Sequence, residues 1–185
     1  MEKKIILASA SPRRRELMAL ITTEFEIITA DVDETIEDGI SPSDAVMSLS
    51  FKKAKAVSDL HQGRTVIGAD TVVVCDDKIL GKPENRQNAK EMLRLLSSRN
   101  HQVLTGVTIT DGEKTDTFFV SSDVTFFSLT DEEINAYAES GEPDDKAGSY
   151  AIQGKGSLFV EKINGDYFNI VGFPVSEINR HLKVF

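Results

Sequence analysis

An apolar run, Ile5-Ile6-Leu7-Ala8, passes through Ser9-Ala10-Ser11 directly into Pro12-Arg13-Arg14-Arg15. Residues 4–8 read as a buried strand. Residues 12–21 read as a helix, with Ser11 as N-cap and Pro12 at the first helical position. Leu17, Met18, Leu20 and Ile21 fit a single helical face. A strand directly followed by a helix is in keeping with an α/β fold. It also places three guanidinium groups where a helix already carries positive partial charge and unpaired N–H groups. Cations there repel the dipole, so the arrangement makes sense with a polyanion among them, and phosphate is the obvious candidate.

The rest of the chain follows the same logic. Residues 25–30 read as a second strand, followed by an acidic loop with Asp31, Asp33, Glu34, Glu37 and Asp38. Ser41 opens a long helix that runs to about residue 61. Residues 65–75 are the strongest strand, turned at Asp76-Asp77 into a hairpin partner at 78–80. Residues 84–97 read as a helix; 101–110 and 115–127 read as strands about an Asp111-Gly112 turn. Thr130-Asp131-Glu132-Glu133 spells a capping box for a helix that stops at Gly141. Residues 157–163 and 166–171 are expected to pair as a hairpin about Asn164-Gly165, before a final helix from Pro174 to about Lys183. Alternation early and hairpins late predict an α/β fold with a mixed sheet. The length, 185 residues, suits one domain of two lobes.

The formal net charge is −9, yet positive charge is concentrated at residues 13–15 and 52–55. That pattern fits a small anion in a focused pocket and argues against a nucleic acid polymer as partner. The single cysteine, Cys75, lies in a run of valines and is expected as a buried thiol without an intrachain disulfide. His61, His101 and His181 are too scattered for a zinc site. Nothing resembles a membrane span or a signal segment, so a cytoplasmic protein with no membrane partner is expected.

Four places carry chemistry. Asp70 interrupts the apolar strand Val66-Ile67-Gly68-Ala69-Asp70-Thr71-Val72, where a carboxylate is costly unless paired, and Gly68 and Ala69 are expected to leave room for a ligand. Glu34 in the acidic loop and Asp70 would together supply carboxylates for Mg²⁺ on a nucleotide. Lys52, Lys53 and Lys55 share a helix but not a face, and Lys82 sits on the constrained turn Gly81-Lys82-Pro83, suited to a phosphate contact. In the glycine-rich stretch from Gly148 to Gly156, the Gln153 amide can read the acceptor–donor–acceptor edge of uracil or thymine.

Together these segments resemble the Maf family of nucleoside triphosphate pyrophosphatases. The matching segments are Ser9-Ala10-Ser11-Pro12-Arg13-Arg14, Val32-Asp33-Glu34, Lys53-Ala54, Gly68-Ala69-Asp70-Thr71, Gly81-Lys82-Pro83, Asp145-Lys146-Ala147-Gly148, Ile152-Gln153-Gly154 and Val171-Gly172-Phe173-Pro174. The resemblance implies a two-lobed α/β fold similar to inosine-triphosphate pyrophosphatases, with the nucleotide in a central cleft. It implies hydrolysis between the α- and β-phosphates, a divalent cation (Mg²⁺, Mn²⁺ or Co²⁺) and a homodimer. By this likeness Asp70 is the proton acceptor, Glu34 a further catalytic acid, and Lys53 and Lys82 contact phosphate. Arg13, Thr71 and Gln153 fall on positions linked to substrate choice and look like the subgroup acting on dTTP and UTP, with 5-methyl-UTP and pseudo-UTP left open. The mechanism this suggests has Ser9, Arg13, Arg14, Lys53 and Lys82 around the triphosphate, with Glu34 and Asp70 as metal ligands. The family's older association with septum formation leaves an interaction protein as the alternative. Ala151 stands where relatives commonly have glycine, and would be strained were positive φ required there.

Overall fold

A computed structural model describes residues 5–37 and 39–185. Lys4 of the expected first strand and Asp38 of the acidic loop lie outside the described residues. Strand β1 (Ile5–Leu7) pairs in parallel with β2 (Phe25–Ile27) and with β3 (Val66–Cys75), Ile6 lying opposite both Glu26 and Val66. Helix α1 (Pro12–Met18) begins as expected. Ser11 is extended (φ −65°, ψ 119°) and its hydroxyl accepts from Arg14 N at 3.5 Å. It ends earlier than expected, because Leu20 and Ile21 donate to the carbonyls of Leu17 and Met18 in a tightened turn.

Helix α2 (Pro42–Ser58) starts from Ser41, whose hydroxyl accepts from Asp44 N at 3.2 Å. Strand β4 (Lys78–Leu80) pairs antiparallel with β3, with Asp76 and Asp77 at φ 50° and 60° as a two-residue turn demands. Helix α3 (Arg86–Leu96), β5 (Asn100–Thr110), β6 (Thr115–Phe126) and α4 (Asp131–Glu139) follow, α4 with the expected capping box between Thr130 and Glu133. Strand β7 (Val160–Asn164) runs antiparallel to β6, and α5 (Tyr167–Val171) and α6 (Val175–Val184) complete the order. The sheet order is β2-β1-β3-β5-β6-β7, with β4 on β3. Parallel and antiparallel pairs coexist, so the sheet is mixed, as the alternation of elements predicted.

The expected hairpin about Asn164-Gly165 does not form. Lys155–Phe159 is a 3₁₀ turn, so the first arm becomes a strand only at Val160, and it pairs with β6. The second arm is α5. Asp166 Oδ1 accepts from Phe168 N at 2.8 Å, and buried Asn169 donates to Val103 O at 2.9 Å and to Ser122 Oγ at 3.0 Å. These bonds outweigh the strand propensity of Tyr167, Phe168, Ile170 and Val171.

The chain forms two compact units. The first takes residues up to Thr71, Thr105–Val120 and Gly172–Phe185. Its core gathers Ile6, Ala8, Ala54, Val57 and Val66, with Ile28 and Ala30 packed against them. The second takes Val72–Leu104 and Ser121–Val171. There the Phe126 ring stands edge-on to His101 and Tyr150, at centroid distances of 4.9 and 4.8 Å, and His101 Nε2 is hydrogen-bonded to the Tyr150 hydroxyl at 2.8 Å. Burial pushes the His101 pKa down to about 4, against a smaller opposing pull from Asp123. Cys75 is a buried free thiol, as expected. No helix among the described residues is long and apolar enough to cross a membrane.

Candidate active site

The geometry of the site begins with two residues that have no side chain. A Cβ on Gly68 of β3 would lie 2.5 Å from Ser50 O and 2.8 Å from Ala54 N, and one on Gly106 of β5 would lie 2.3 Å from Val46 O. Helix α2 therefore sits directly on the sheet backbone. The space expected at Gly68 for a ligand is filled by this helix, which corrects the sequence reading. Alternation along β3 puts Asp70 on the same face as Gly68, and Lys53 immediately precedes Ala54 on the helix. Seating the helix on Gly68 thus brings Lys53 to Asp70.

Lys53 Nζ donates to Asp70 Oδ1 at 2.7 Å and lies 3.1 Å from Glu34 Oε1. The Lys53 and Asp70 side chains are 15% and 12% exposed, whereas Glu34 is 56% exposed. The carboxylate in the apolar strand is therefore paired, and the pairing side chain also reaches the acidic loop. Lys55, two residues on, faces elsewhere and pairs with Asp59 at 2.8 Å on the exposed face. The helical spacing had separated these lysines in the same way.

Arg14 is hydrogen-bonded to four groups of the chain itself. Its Nε donates to Gly172 O at 2.9 Å, Nη1 to Ala69 O at 2.8 Å and Ser9 Oγ at 3.3 Å, and Nη2 to Thr71 Oγ1 at 3.1 Å. A guanidinium has five N–H donors, so one is left over. Burial pulls its pKa below the ordinary value, the Asp70 charge opposes this, and the neighbouring Arg13 charge adds to the fall. Arg14 thus braces Ser9, β3 and Gly172 together, with one N–H donor to spare. Thr71 Oγ1 is also hydrogen-bonded to Thr105 Oγ1 at 2.9 Å. Ser9 is buried, and its hydroxyl accepts from Ser11 N at 3.3 Å. The helix N-terminus that the arginines follow is therefore capped by the chain's own serines.

Lys82 and Gln153 belong to the second unit, where both are exposed. The turn bearing Lys82 is tied to the glycine-rich stretch by Gly148 N, which donates to Gly81 O at 3.0 Å. Positive φ in that stretch falls on Gly148 (68°) and Ser149 (61°) and not on Ala151, so alanine at 151 carries no such strain. The structure therefore joins Ser9, Arg14 and Thr71 in one cluster and Glu34, Lys53 and Asp70 in another, with Arg13 close enough to act on Arg14. Sequence reasoning did not find Glu142 or Tyr137. Glu142 accepts from Lys155 N and Gly156 N, and the Tyr137 hydroxyl accepts from Ala151 N. The available signal was a tyrosine on the buried face of α4, since a buried hydroxyl needs a partner.

The chain is similar to known proteins along nearly its whole length. The family described as Maf-like protein matches residues 4–185. A protein of Bacillus mycoides (strain KBAB4) named dTTP/UTP pyrophosphatase is 56% identical over 183 residues, 99% of this chain and 96% of its own length. One of the same name from Bacillus cereus (strain AH187) is also 56% identical with the same coverage. Among solved structures, the Ham1 protein of Staphylococcus aureus superposes with a TM-score of 0.55 at 15% identity, covering 98% of this chain and 99% of that one. A HAM1 protein from Coxiella burnetii gives 0.54 at 13% identity, covering 98% of each chain. At such identities the likeness is one of fold: a mixed-sheet α/β architecture.

Proposed function

We propose that this chain, which belongs to the family of Maf-like proteins, is a dTTP/UTP pyrophosphatase that acts as a homodimer and releases the nucleoside monophosphate and pyrophosphate. The relatives' shared name supports the substrate class. The observation that carries the chemistry is Asp70, a carboxylate in the middle of an apolar strand, held by Lys53 together with Glu34. A purely structural acid has no need of a second carboxylate on the same ammonium.

In this reading Asp70 takes a proton from a water that attacks the α-phosphorus. The new P–O bond forms as the α–β bridge breaks, and pyrophosphate leaves. Lys53 orients Asp70 and adds positive charge beside the reacting phosphate. Arg13, Ser9 and Lys82 contact the phosphates. Arg14 serves them from behind, by holding Ser9 and Thr71. Gln153 reads the pyrimidine edge, where an unpaired polar group would penalise the wrong base.

The donor set suits a hard divalent cation. Asp70 and Glu34 both offer oxygen within reach of one point, the Lys53 ammonium. No group of three or more metal-type side chains occurs among the described residues, so substrate oxygens and water would complete the shell, as is usual for Mg²⁺. Bound to these two carboxylates, Mg²⁺, Mn²⁺ or Co²⁺ supplies neutralisation of phosphate charge.

The test is a product assay on purified protein with Mg²⁺ or Mn²⁺, offering dTTP, UTP, CTP, dATP, GTP, 7-methyl-GTP, 5-methyl-UTP and pseudo-UTP. Monophosphate and pyrophosphate from the uracil and thymine nucleotides are expected. Orthophosphate as product, or no turnover by the folded protein, overturns the proposal.

A further inference from the structure

Gln153 is exposed, on a turn closed by Gly154 N donating to Ala151 O at 3.2 Å. What fixes that turn lies behind it. Glu142 accepts from Lys155 N at 3.1 Å, from Gly156 N at 3.2 Å and from the Tyr137 hydroxyl at 2.9 Å. The same hydroxyl accepts from Ala151 N at 3.0 Å. One carboxylate and one phenol thus hold three main-chain N–H groups, on both sides of Gln153. A Cβ on Gly154 would lie 2.3 Å from Glu142 Oε1, so glycine there lets the carboxylate approach the backbone.

The direction of each bond is consistent. Tyr137 gives its only proton to Glu142 and takes one from Ala151 N. Burial works to raise the Glu142 pKa, but the N–H groups of Lys155 and Gly156 and the Tyr137 hydroxyl outweigh it, and the net shift is downward. Packing does not require this arrangement: Tyr137 is 4% exposed beside the Phe159 ring, where phenylalanine would fill the same space.

We infer that Glu142 and Tyr137 are positioning residues for base selection, which set the path of residues 151–156 and through it the reach of the Gln153 amide. The inference rests on Gln153 reading the base, as proposed above. It extends the specificity machinery to two residues that never touch the nucleotide.

The experiment is steady-state kinetics, read as pyrophosphate release from UTP and CTP, for Glu142→Gln, Tyr137→Phe, Gln153→Ala and the Glu142→Gln/Gln153→Ala double variant. Glu142→Gln keeps the shape but turns an NH₂ toward a backbone N–H. It is expected to raise KM for UTP about tenfold, to leave kcat within about threefold, and to cut the UTP-over-CTP ratio of kcat/KM about tenfold. Gln153→Ala should cut the ratio equally, and the double variant no further, since both act through one contact. If Gln153→Ala collapses the ratio while Glu142→Gln and Tyr137→Phe leave it unchanged, the inference is overturned and the reading of Gln153 survives. An unchanged ratio in Gln153→Ala removes the reading itself and the inference with it. Should Glu142→Gln not fold, Tyr137→Phe, which removes a single hydroxyl, carries the same test.

Discussion

Lys53 and Glu142 each stand at the centre of a small hydrogen-bond cluster, one in each unit of the chain, but they hold different things. Lys53 holds side chains: Asp70 from a strand and Glu34 from a half-exposed loop. Every member of that cluster is an ionisable side chain. Glu142 holds main-chain N–H groups, those of Lys155 and Gly156. The first cluster depends on which side chains stand at three positions far apart in sequence. The second fixes the path of the backbone, whatever side chains the held residues carry.

The largest expected effect breaks the first cluster at its buried end. Asp70→Asn should lower turnover by about 10³-fold or more while nucleotide binding stays measurable, checked by pyrophosphate release beside equilibrium titration. Near-normal turnover would remove Asp70 from the chemistry.

Next comes the seat of the helix that carries Lys53. Gly68→Ala sets a Cβ against backbone atoms of Ser50 and Ala54 that cannot turn aside. It should cost about 3 kcal/mol, seen as a Tm lower by roughly 6–12 °C. It should also depress turnover, because Lys53 moves with the helix. A wild-type Tm would show that the helix is not seated as described.

The second unit has its own vulnerability, to acid. With the His101 pKa near 4 in the fold and near 6.5 when unfolded, the unfolded chain binds more protons between these values. Stability therefore falls as pH drops from about 6.5 toward 4. Relative to His101→Gln, which does not titrate, the wild type should lose about 2 kcal/mol between pH 7 and pH 5. Denaturant midpoints at the two pH values measure it, and equal pH dependence in both proteins would contradict the assignment.

The smallest effect sharpens the contrast between neighbouring lysines. Lys55→Ala removes an exposed pair with Asp59 and should change stability by no more than about 0.5 kcal/mol, with turnover unaffected. Loss of turnover would mean that the charge of the helix as a whole, not the aim of Lys53, matters.

Much of this was legible from local pattern. The Thr130 capping box, the Asp76-Asp77 turn and the different faces of Lys53 and Lys55 all depend on neighbours a few residues apart, and the structure places them as expected. Asp70 could be singled out because a carboxylate in an apolar strand must find a partner, though the pattern did not name Lys53. What could not be read depends on residues far apart in sequence. Tyr167–Val171 forms α5 because Asn169 finds Val103 and Ser122. Arg14 turns inward because Gly172 and Ala69 offer carbonyls. Gly68 is occupied by a helix that only the folded chain brings there. Glu142 and Tyr137 escaped notice because their partners are backbone groups, which leave no mark on residue type.

Every residue but proline carries a main-chain N–H, so anchors of this kind do not care which side chain they hold. The side chains of Ala151, Gln153 and Lys155 take no part in these bonds. The constraint falls instead on Gly154 and Gly156, where a Cβ would meet Glu142 or the Tyr137 hydroxyl. An exchange of the exposed side chain at 153 leaves both anchors untouched.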